Sequence, residues 1–90
     1  MSSTSTNPSD LALQYVEKAE RAAENGDENT VSENLLLVYQ ILAADFGAST
    51  ERNAHRQAVL ALEGVRTGNQ WKTLAGFEQL RSTINRVKRK

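Results

Sequence analysis

The sequence predicts an all-α fold, an antiparallel four-helix bundle built from two helical hairpins, and three observations carry that expectation. Apolar residues recur at spacings of three and four in four successive stretches, the signature of amphipathic helices. The three junctions between those stretches are short and each holds one glycine, Gly26, Gly47 and Gly68, so consecutive helices should fold back on one another. No segment alternates apolar and polar residues in the way a half-buried strand would. The expected helices run over about 8–25, 30–46, 50–66 and 70–88, in one domain covering 7–90 behind a disordered tail at 1–6.

The tail is assigned from its Ser/Thr content and lack of apolar anchors. Order should begin at Asn7-Pro8-Ser9-Asp10, with asparagine as N-cap, proline in the first helical position and an acid in the first turn. Along the first helix Leu11, Ala12, Tyr15, Val16, Ala19, Ala22 and Ala23 share one arc, and Glu17, Glu20, Arg21 and Glu24 lie opposite. Gly26 stops it.

The second helix begins at Asp27 or at Thr30, where Thr30-Val31-Ser32-Glu33 has the form of a capping box, and ends at Phe46-Gly47. Its run from Val31 to Phe46 is the densest apolar stretch of the chain, and its side chains fall on nearly every side of the axis. Such a helix expects neighbours on more than one side, so it is expected to be the most buried of the four. Ser49 or Thr50 would cap the third helix, which gathers Ala54, His55, Ala58, Val59, Ala61, Leu62 and Val65 on one face; Gly64 reads as a weakening of its last turn. The fourth carries Thr73, Phe77, Leu80, Ile84 and Val87 at heptad spacing, which suits antiparallel bundle packing. An offset of 42 aligns Ala12 with Ala54, Ala19 with Ala61, Gly26 with Gly68 and Leu35 with Phe77, so each half reads as one hairpin turning at a glycine. The spacing of Gly26, Val31, Leu35 and Val38 resembles the helix turn of a tetratricopeptide repeat, a likeness of architecture rather than of family.

Ninety residues make one small domain that buries only about 60–65% of the surface its unfolded chain exposes. There is no cysteine to supply a disulfide or a thiolate metal site. No apolar run reaches membrane-spanning length, and the N-terminus lacks the basic and apolar regions of a secretory signal, so a cytoplasmic location with no membrane partner is expected. The zero net charge hides a polarity. Residues 1–50 carry eight acids and two bases, a net −6, and residues 51–90 three acids and nine bases, a net +6. An acidic hairpin packed beside a basic one would cancel most of that field.

The residues offer little chemistry. His55 is the single histidine; Ala54-His55-Arg56-Gln57-Ala58 lacks the nearby lysine and glycine of a phosphotransfer site, and a boundary position is expected for it. Glu17, Glu20, Glu24 and Glu28 form a solvated helix edge interleaved by Lys18 and Arg21. The expectation is no catalytic residue, no metal site, no cofactor and no enzyme. The candidates that remain are apolar residues off their stripes, Leu13, Leu37, Leu60 and Trp71, and the basic chain end. Leu37, with Ile41 and Ala44 beside it, and Trp71 are read as partner-binding residues of a non-enzymatic protein–protein interaction module. It would be a small adaptor, regulator or assembly component, binding a protein partner or a second copy as a homodimer. The alternative is a nucleic-acid-associated regulator using Arg81, Arg86, Lys88, Arg89 and Lys90.

Overall fold

Each helix starts and stops where local chemistry satisfies its end groups. In the computed structural model, which describes residues 7–88, four helices follow one another: α1 (Pro8–Glu24), α2 (Glu28–Phe46), α3 (Ala48–Thr67) and α4 (Gln70–Lys88). The tail expected over 1–6, together with Arg89 and Lys90, lies outside the described residues. At the head of α1 the Asn7 side chain accepts the Asp10 N–H at 3.1 Å and the Ser9 hydroxyl at 2.6 Å, with Pro8 in the first turn as expected. At its foot Gly26 takes φ 71°, a left-handed conformation that glycine enters without a Cβ penalty. The Asp27 N–H then returns to Ala22 O at 2.9 Å.

The earlier of the two expected starts is the one α2 uses. Asp27 accepts the Thr30 N–H at 3.1 Å and the Thr30 hydroxyl at 2.6 Å, so Thr30 is already inside the helix. Those two hydrogen bonds hold the Asp27 carboxyl below its ordinary range. A carboxylate whose folded pKa is depressed stabilises the fold above its unfolded pKa and loses that contribution as pH falls through the folded value. Stability should therefore fall with acid below about pH 4, and Asp27→Asn should flatten that part of the profile, read by urea denaturation at successive pH values.

Between α2 and α3 stands a single residue. Gly47 closes one helix and opens the next with φ 92° and ψ 175°, a region open essentially to glycine alone. α3 therefore begins before Ser49 and Thr50, and neither caps it; no side chain accepts a hydrogen bond from its first turn. The α3–α4 turn uses Gly68 at φ 71°, and Asn69 caps α4 by accepting the Lys72 N–H at 3.1 Å.

The helices pack in a ring, α1 on α2, α2 on α3, α3 on α4 and α4 back on α1, so α2 and α4 face each other only across the diagonal. The body is 17 Å through its thinnest direction, two helix layers. The expected all-α bundle of two hairpins is what forms. Its core alternates by helix. α1 contributes Ala12, Val16, Ala19 and Ala22, and α3 Ala54, Ala58, Ala61 and Gly64; the bulk comes from α2 (Val31, Leu35, Val38, Leu42) and α4 (Phe77, Leu80, Ile84). The expectation that α2 would be the most buried helix is corrected here. With extensive contacts only to α1 and α3, it buries a single stripe, and Leu36 and Leu37 remain exposed.

Small residues decide how closely α3 and α4 approach. A Cβ on Gly64 would fall on the Thr73 backbone and hydroxyl, 2.8 Å from Thr73 Cα. On Gly76 it would fall on the Ala61 backbone, 2.7 Å from Ala61 Cα. Gly64 is thus a contact point between backbones, not a defect in the helix.

Candidate partner-binding surfaces

The charge polarity of the sequence is consumed in part inside the chain, by three pairs that join its two halves. Arg81 of α4 donates twice to Glu20 of α1, at 2.9 and 2.5 Å, and this bidentate contact keeps the guanidinium firmly protonated. Lys88 of α4 reaches Asp10 of α1 at 2.6 Å, and Arg66 of α3 reaches Glu28 of α2 at 3.1 Å. Each of these pairs joins a base of the second half to an acid of the first. A fourth interhelical pair, Lys72 to Glu63 at 2.6 Å, ties α4 to α3, and the Lys72 hydrogen bond holds the Glu63 carboxyl below its ordinary range.

These pairs bear on the basic chain end. Arg81 and Lys88 are engaged with α1, whereas Arg86 is exposed with no ion-pair partner among the described residues. Phosphate contacts made by Arg81 or Lys88 would compete with carboxylates already in place.

His55 is more exposed than the boundary position expected for it. Its ring stacks on Tyr39 of α2, centroids 5.2 Å apart, and the Tyr39 hydroxyl donates to the His55 carbonyl at 3.3 Å. Burial of the Tyr39 ring, aided by the nearby Glu51 charge, pushes its phenol pKa up. The pair seals the α2–α3 seam.

Two apolar surfaces are left open. The first is the outer side of α2. Leu36 is 53% exposed and Leu37 37%, Ala43 and Ala44 are exposed, and Ile41 is half-buried against the core. Between Leu36 and Ala44 the one exposed polar residue is Gln40. The second surface is at the start of α4, where Trp71 is 84% exposed and Leu74 60%. Leu74 also edges an open groove of about 720 Å³ among α1, α3 and α4, with Val65 and Phe77 among its apolar lining and Glu17 and Glu24 among its charged lining.

Leu37, Ile41 and Ala44, expected as one surface, do lie together on α2. Trp71 does not join them, because α4 sits diagonally across the ring from α2. Val59, expected on the packing face of α3, is exposed, and sequence reasoning missed Leu36 and Leu74. Both stand beside recognised positions, but their exposure depends on which helices occupy each side, which the apolar pattern does not state. Comparison with family models, with curated proteins and with solved structures finds no match to this chain. Among the described residues no helix is long and apolar enough to cross a membrane.

Proposed function

We propose that the chain is a non-enzymatic protein–protein interaction module that binds through the outer face of α2, with Trp71 and Leu74 on α4 as a separate contact. The observation that carries this reading is the run from Leu36 to Ala44, which turns two leucines and two alanines to solvent with only Gln40 between them. Scattered exposed leucines are ordinary, but a contiguous apolar strip along one helix is the surface that a partner helix covers. Its alanines allow close approach and its leucines supply the area to be buried. Trp71 adds a large, rigid aromatic of the kind enriched at binding hot spots.

Leu37→Glu and Trp71→Ala test this without disturbing the core, since both side chains are exposed. Each should leave unfolding free energy within about 0.5 kcal/mol of the natural chain. In affinity capture from native extract followed by mass spectrometry, Leu37→Glu should lose proteins that the natural chain retains, and Trp71→Ala a subset of them. Capture profiles unchanged by both substitutions would sink the reading.

A further inference from the structure

On the reading of the outer α2 face as a binding surface, we infer that its partner is a second copy of this chain, with the two α2 helices packed antiparallel about a two-fold axis at Gln40. The face is self-complementary in size. An antiparallel two-fold at residue 40 reverses height along the helix but keeps each residue on its own side of the seam, so residue 36 comes beside 43 and residue 37 beside 44. Leu36 then meets Ala43 of the second copy, and Leu37 meets its Ala44. Each large side chain lands on a small one, in all four places at once, which is what an isologous interface requires. Parallel pairing would set Leu36 against Leu37 and Ala43 against Ala44, overfilling one end and leaving the other empty.

The polar residues on the face fit the same operator. Gln40 falls on the axis, where two primary amides satisfy each other by reciprocal donation and acceptance. Glu33, the charged residue one turn before Leu36, is exposed, and its mirror position is Gly47. There the first turn of α3 opens with no side-chain cap. The N–H groups of Ala48 and Ser49 have no intrahelical partner and mark the positive end of the helix dipole, so the Glu33 carboxylate of the second copy arrives where an acceptor is wanting. No like charges meet along the seam, because the carboxylate is displaced from its own symmetry mate by the length of the pairing. The outer face therefore matches itself in shape, hydrogen bonding and charge.

The experiment is sedimentation equilibrium of the full chain from about 1 to about 500 µM, the range in which a single-helix interface should titrate. The natural chain should pass from its 10.0 kDa monomer to a dimer. Leu36→Ala should weaken pairing about tenfold or more by leaving a void, and Ala43→Leu should do so by overpacking. The double variant should return to within about threefold of the natural chain, because each new leucine meets the other copy's new alanine. Circular dichroism confirms that these exposed substitutions leave the helices intact.

Orientation is read separately, using the absence of native cysteine. Gln40→Cys should oxidise to a covalent dimer. Ala44→Cys should not, since its sulfur would lie roughly 12 Å along the axis from its symmetry mate, beyond disulfide reach. A chain that stays monomeric throughout, a double variant no better than its parents, or Ala44→Cys cross-linking as readily as Gln40→Cys would each overturn the antiparallel pair. A strict monomer that still captures proteins through Leu37 would remove the second copy alone and leave the wider binding reading standing. A capture profile insensitive to Leu37→Glu in a chain that does dimerise would do the reverse.

Discussion

Replacing Phe77 by alanine is expected to cost about 3–5 kcal/mol of unfolding free energy. Phe77 heads the fully buried side chains by volume, and its surroundings cannot collapse to compensate. The facing stripes of α1 and α3 are mostly alanine and glycine, with Val16 the one larger apolar side chain, so little can turn into a void and most of the volume lost remains as cavity. A domain of this size has roughly 5–13 kcal/mol in all, so the substitution removes a large share of the margin. Thermal unfolding by circular dichroism should show a midpoint lower by about 15–30 °C, and Phe77→Leu should recover most of the loss. A cost below about 1 kcal/mol would mean that α4 does not share a single core with α1 and α3.

The local features of this fold are those that the sequence displays most openly. Asn7, Gly26 and Gly68 act within a few residues of where they stand, so the ends of α1 and the turn into α4 can be read directly. The buried stripes of α1, α3 and most of α4 follow from spacing, because polar residues occupy the opposite sides. In α2 that contrast is absent. A helix apolar on almost every side has no phase, and the buried side is set by α1 and α3, not by its own pattern. Leu36 is therefore indistinguishable in sequence from Leu35, which is buried. The single-residue corner at Gly47 is hidden for a related reason: Ser49 and Thr50 offer good caps, but a helix entered directly from a glycine needs neither. Charge behaves similarly. Opposite signs in the two halves are plain, whereas the pairing of Glu20 with Arg81, across 61 positions, is a property of the α1–α4 seam.

The sharpest case is Gly76, and the expected sign of its substitution decides between two accounts. An isolated helix gains about 0.5–1 kcal/mol when an interior glycine becomes alanine, so by propensity alone Gly76→Ala stabilises α4. The packing predicts the reverse. The new methyl would sit 2.7 Å from Ala61 Cα, against backbone that has no rotamer with which to move aside, so α3 and α4 must separate along their seam. A net loss of about 2–3 kcal/mol is expected, the overpacking cost outweighing the propensity gain. Gly64→Ala should behave alike, since its methyl meets the Thr73 backbone as well as its hydroxyl. Gly64 and Gly76 sit on opposite sides of that one seam, and a single separation of the helices relieves both clashes. The double variant should therefore cost clearly less than the sum of the singles, a coupling that urea denaturation of the three variants measures directly. Stabilisation by Gly76→Ala would show that the two backbones stand further apart than this geometry places them.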